Sequence, residues 1–244
     1  MATAGETALG SLRVLASTSR SLIGEALAAA DAFYEWRHYP EGDIYDPSTH
    51  AQYFYHAHPP GGRAASEHGH FHTFLRPRGM PSGVQPLMLP ELAIPDAPAQ
   101  PLDPVFAPAR QPNQGEDNDR LSHLVAISMN AQGMPIRLFT TNRWVTGETW
   151  YRAEDVVPML GRFAIGNRAP SEPLNRWITA MFELFRPEMR ALLSARDAAI
   201  MNWRRRHRGK VHVFEDRRLE IASVLSIDIE EQVRRVGAAL KRAA

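Results

Sequence analysis

The sequence predicts an α+β fold: an antiparallel sheet of four to five strands built from hairpins, packed by N-terminal and C-terminal helices and crossed by a long proline-rich strap. Three observations predict it. Residues 121–129 and 135–145 are apolar-rich runs flanking an Ala-Gln-Gly turn, the pattern of a β-hairpin. Residues 51–58 and 67–75 alternate with the period of two that sends successive side chains to opposite sheet faces. Apolar residues recur at helical spacing before and after these runs. Hairpins rather than βαβ units mean antiparallel pairing with helices on one side. With 244 residues the chain is long enough for a sizeable core, and 1–244 reads as one domain.

Taken in order, residues 7–37 read as helix broken near Ser17-Thr18-Ser19. Leu22, Ile23, Ala26, Leu27, Ala30, Phe33 and Tyr34 form its later apolar stripe, and Pro40 and Gly42 end it. Strands follow at 51–58 and 67–75. Between Pro77 and Pro112 there are ten prolines and no usable periodicity, so 77–112 is irregular chain crossing a surface, a strap or lid. After the 121–145 hairpin, 152–161 suggests a short helix. Ser171 is an expected N-cap with Pro173 in the first turn, and Pro187 opens a second helix. Residues 219–225 add a strand, and Asp228 caps a last helix over 229–241.

Composition excludes several classes. Without cysteine there are no disulfides, thiolate metal sites or cysteine nucleophiles. A net charge of +1 gives no field argument for nucleic acid or a membrane surface. No apolar run is long enough to span a bilayer, and the N-terminus lacks the basic start and apolar block of a secretory signal. The cytoplasm is the expected location, and the arginine-over-lysine and alanine bias suggests a GC-rich bacterial genome. The Trp203–Lys210 basic run reads as a helix C-terminus capped at Gly209, where positive charge complements the macrodipole, rather than as a nucleic-acid patch.

Function concentrates in the histidines. Seven of ten fall between His38 and His72. On strands, His56 and His58 share one face, and His68, His70 and His72 share one face of the next. A hairpin would bring up to five imidazoles together, and neutral imidazole is the commonest metal ligand. His123 lies on the first strand of the later hairpin and is a further candidate, although alternation places it with Val125, Ile127 and Met129 on an apolar face. His38 and His50 lie outside the alternating sets and read as ordinary histidines. Tyr55, Glu67, Asp119, Arg143, Trp144 and Glu148 are candidates for the groups around such a site. As a strand residue Glu67 would face away from the histidines, favouring an all-histidine ligand set.

Nitrogen ligands suit zinc, iron(II), manganese, nickel or copper, and argue against calcium or magnesium. The expected site is mononuclear, in an oxygenase or hydrolase with a small-molecule ligand. The alternatives are a non-catalytic metal or small-ligand module, and a metal-free histidine network. The sequence has no His-Glu-x-x-His, and nothing in it fixes oligomeric state. The segments Tyr-His-Ala-His (55–58), Glu-His-Gly-His-Phe-His (67–72) and Leu-Phe-Thr-Thr-Asn-Arg-Trp-Val-Thr-Gly-Glu (138–148) together resemble a bacterial family grouped only as a domain of unknown function. That resemblance covers most of the chain and implies no activity.

Overall fold

In the computed structural model, residues 1–62, 64–87, 89, 120–207 and 211–243 are described. Most of the expected strap (88 and 90–112), Asp119 and the expected cap Gly209 lie outside them. The sheet is six-stranded and antiparallel, in the simple order β1-β2-β3-β4-β5-β6. Its strands are β1 Tyr39–Tyr45, β2 Ala51–His56, β3 Gly69–Leu75, β4 Ser122–Met129, β5 Pro135–Thr141 and β6 Ile221–Ser226. The helices are α1 Ala2–Ser17, α2 Leu22–Leu27, α3 Arg143–Thr146, α4 Ala153–Met159, α5 Glu172–Leu184, α6 Arg186–Arg206 and α7 Ile229–Ala243.

One strand more than expected is present, and it is β1. Pro40 and Gly42 read as helix terminators, yet proline is tolerated at a sheet edge, where its missing N–H goes unneeded. The α2 helix stops at Leu27, well short of residue 37, so Phe33 and Tyr34 leave the helical stripe and are 39% and 55% exposed. Further along the chain, β5 stops at Thr141, short of residue 145, because Asn142 turns the chain, its side chain accepting from the N–H of Arg143 to start α3.

The helices start where capping chemistry places them. The Ser21 hydroxyl accepts from the Gly24 N–H, Ser171 from that of Leu174, and Asp228 from that of Glu231. In α1 the buried residues are Ala4, Gly5, Ala8, Ser11 and Leu15, mostly small, which lets neighbours approach closely. A Cβ on Gly5 would stand 2.7 Å from Val233 Cγ2 of α7. Basic residues Arg204, Arg205 and Arg206 fill the last turn of α6.

One face of the sheet is apolar. Tyr53, Tyr55, Phe71, Val125, Ile127 and Leu138 pack with Leu15, Leu22, Trp177, Met181 and Leu193 from the helices. Because opposed residues of antiparallel strands point to the same side, the registers His56↔His70, Phe54↔His72 and Ala126↔Phe139 put a different set on the other face. That face carries the histidines. No described helix is long and apolar enough to cross a membrane.

Candidate metal centre

Strand β2 ends at His56 and β3 brings His70 directly opposite, so register alone sets these two side by side. Their Nε2 atoms are 2.7 Å apart. His72, two residues along β3, has its ring centroid 4.7 Å from that of His70 and 5.1 Å from that of His56. One nitrogen from each of these three buried residues lies within 4.8 Å of the others, enough to hold a metal ion. His58, just beyond β2, stands beside the trio, its ring 5.0 Å from His56 and 5.2 Å from His70.

His123 reaches this face through a β-bulge. His72 pairs with Ala126 but Phe74 pairs with His123, so three steps on β4 oppose two on β3. Leu124 and Val125 both turn to the apolar core, and the bulge is pinned by Thr73, whose hydroxyl donates to the Val125 carbonyl at 2.6 Å. Strict alternation would have left His123 among the apolar side chains. Instead its Nε2 lies 3.0 Å from His72 Nδ1.

The other candidates are placed as follows. Glu67 precedes β3, so strand alternation does not govern it; its Oε1 is 2.8 Å from His70 Nδ1 and its Oε2 accepts from Arg137 at 2.5 Å. The expectation that Glu67 faces away is corrected by this turn. His68 leaves the histidine face: its Nδ1 meets the Tyr55 hydroxyl at 2.6 Å, and its ring packs against Phe33. Tyr55 belongs to the apolar core. Glu148 is buried and accepts the backbone N–H of His123 at 2.7 Å. Arg143 pairs with Glu215, and the Trp144 Nε1 donates to the Leu219 carbonyl, so both brace the 213–220 loop. Val145, between Trp144 and α3's end, is the residue of that group that reaches the cavity described below.

His38, read as an ordinary histidine, borders the cluster. Its ring stacks on Phe54 at 3.5 Å and stands 5.8 Å from His56, while Asp43 Oδ1 meets its Nδ1 at 3.1 Å. Its position depends on β1, the strand hidden behind Pro40 and Gly42. Arg137 was also missed; a lone arginine on an alternating strand carries no signal until its neighbour across the sheet is known.

Burial sets the electrostatics. It pushes the pKa values of His56 and His72 well below the usual imidazole range, helped by neighbouring histidines. Burial, then the Arg196 charge and His70, holds His123 at about 3. These three rings are neutral near pH 7, as a ligand imidazole must be. Burial would raise Glu67, but hydrogen bonding to His70 and the charges of His70 and Arg137 outweigh it and hold the carboxyl at about 2. Burial raises Glu148 to about 8 despite the nearby Arg196.

Beside the trio lies a cavity of about 450 Å³. His58, Glu67, His70 and His72 form one side; Arg137, Phe139 and Thr141 of β5 form the floor; Leu219, Glu220, Ile221 and Val224 close the far side.

Fold and site together define a class: an α+β protein with an antiparallel six-stranded sheet, one face packed by helices and the other carrying a buried histidine cluster that could hold a metal. The chain matches the model of a family described as a domain of unknown function (DUF6969) over residues 2–227, and it belongs to that family. No curated protein and no solved structure matches the chain.

Proposed function

We propose that this protein is a metal-dependent enzyme, of hydrolase or oxygenase type, that holds one transition-metal ion on His56, His70 and His72. The observation that carries this reading is the approach of one nitrogen from each of these three buried rings to within 4.8 Å of the others. An ion with metal–nitrogen bonds of about 2.0–2.1 Å sets its nitrogens roughly 3 Å apart, close to the spacing of the His56 and His70 Nε2 atoms. Two neighbours orient the ligands. Glu67 accepts the proton on His70 Nδ1, which leaves Nε2 as the ligand atom. His123 occupies Nδ1 of His72, which leaves the Nε2 of that ring for the ion. His58, its ring 5.0 Å from that of His56 and 5.2 Å from that of His70, offers a fourth ligand.

The nitrogen donor set suits zinc, iron(II), manganese, nickel or copper. When bound, the ion supplies Lewis acidity. The chain supplies the rest: burial disfavours the charged forms of His56 and His72, Glu67 holds the Nδ1 proton of His70, and the cavity accommodates a small molecule against the ligands.

A second reading is a non-catalytic metal or small-ligand module. It is favoured by the engagement of both Glu67 oxygens, which leaves no unengaged buried carboxylate among the described residues that line the cavity to act as a general base. A third, a metal-free imidazole network, draws support from the His56–His70 and His72–His123 contacts. Elemental analysis of untagged protein separates the first two from the third. About one equivalent of a transition metal supports the centre, whereas less than about a tenth of an equivalent after reconstitution leaves the network.

A further inference from the structure

We propose that the cavity beside the histidine trio binds a small monocarboxylic acid with an apolar body, its carboxylate held by Arg137. The inference deepens the metal-centre reading by naming the ligand class, and it rests on that centre only for a second point of attachment.

The Arg137 guanidinium is fixed at one end. Its NH2 group donates to Glu67 Oε2, and Glu67 Oε1 is in turn on His70 Nδ1. One carboxylate therefore joins the guanidinium and the His70 imidazole through its two oxygens, and Arg137, Glu67 and His70 all line the cavity. Arg137 NH1 takes no partner among the described residues, and the side chain is 26% exposed. An arginine held by one edge and open at the other presents donors in the planar fork that matches a carboxylate.

Among the described residues, the remaining charges that line the cavity are one arginine and one glutamate, Arg218 and Glu220. Arg218 lies there too, but Asp216 pairs with it through both Nε and NH2. Glu220, which is exposed, also lines the cavity. A dication on the three imidazoles would add positive charge beside Arg137 and strengthen the preference for an anion. Much of the remaining lining is apolar, from Phe139, Val145, Leu219, Ile221 and Val224. Phe139 stands 5.1 Å from the His70 ring, and Ile221 and Val224 remain 48% and 54% exposed, with apolar surface left to bury. Covering such surface favours a hydrocarbon body over a polar one, and the volume fits a compact aliphatic or single-ring acid.

The test is a calorimetric titration of the full chain with benzoate and with benzamide, which share a body and differ in charge. It is run on wild type, Arg137→Gln and Arg137→Lys, each with and without zinc, and zinc uptake is measured separately. Benzoate is expected to bind wild type at least roughly tenfold more tightly than benzamide. Arg137→Gln should abolish that preference and Arg137→Lys should restore part of it. Equal affinities, no benzoate binding, or a preference that survives in Arg137→Gln would overturn the assignment. Failure to take up zinc would sink the metal centre alone, since the Arg137-dependent preference is read in zinc-free protein as well.

Discussion

The Nε2 atoms of His56 and His70 face each other across the β2–β3 register at 2.7 Å, buried from solvent. Two unprotonated nitrogens cannot sit that close without repulsion, so either a proton or a cation lies between them. Glu67 on the far nitrogen of His70 decides which proton is already assigned, and it leaves His70 Nε2 as an acceptor.

Glu67→Gln is therefore expected to weaken metal binding without removing a ligand. The amide still accepts from His70 but no longer carries the charge that makes the ring a better donor to an ion. Loss of such an outer partner typically costs 10–100-fold in affinity, or about 1.4–2.7 kcal/mol. Competition against a chromophoric chelator measures it. An affinity within twofold of wild type would show that Glu67 does not orient the site.

His68 gives the contrasting case. Its ring is turned to Tyr55 and Phe33, away from the trio. His68→Phe keeps the ring packing and loses the hydrogen bond, so stability should fall by about 1 kcal/mol while metal stoichiometry stays unchanged. Loss of metal in this variant would place His68 in the ligand set.

Gly69 is fixed by close approach. A Cβ there would lie 2.5 Å from the His56 carbonyl oxygen and 2.5 Å from the Tyr55 hydroxyl, the first of which is backbone and cannot swing away. Gly69→Ala is expected to cost roughly 1–3 kcal/mol and to spread β2 from β3. Denaturant unfolding reads the first effect and weakened metal uptake the second. A variant as stable as wild type would mean the strands part more easily than their packing implies.

Glu148 makes stability depend on pH. In the unfolded chain its carboxyl ionises near 4.5; in the fold, burial holds the proton to about 8. Between these values the unfolded state binds fewer protons, so the contribution of this group is present below 4.5 and is lost as pH rises toward 8. Glu148→Gln keeps an acceptor for the His123 N–H and removes the titration. Metal-free variant and wild type should match in urea midpoint near pH 4.5, and the variant should lead at pH 8 by as much as a few kcal/mol, roughly. A constant difference between them across that range would remove Glu148 as the source.

Much of this fold was legible because its signals are local. The hairpin at 121–145, the caps at Ser171 and Asp228, and the alternating histidines each depend on residues within a few positions of one another. What escaped depends on contacts across the sheet. The bulge that turns His123 toward His72 is set by Thr73, some fifty residues away, and strict alternation pointed the wrong way. Glu67 looked misdirected because the strand was assumed to begin two residues too early. β1 was hidden because Pro40 and Gly42 are breakers inside an element but are permitted at an edge. Arg137 and His38 gained meaning only when register placed Glu67 and Phe54 beside them.

The most direct test of the metal centre is cobalt(II) titration of metal-free protein, followed by absorption in the visible range and by X-ray absorption at the cobalt edge. The account predicts saturation at about one equivalent, a first shell of nitrogen and oxygen with at least three imidazoles, and loss of that spectrum in His70→Ala. No cobalt uptake, or an unchanged spectrum in His70→Ala, would contradict it.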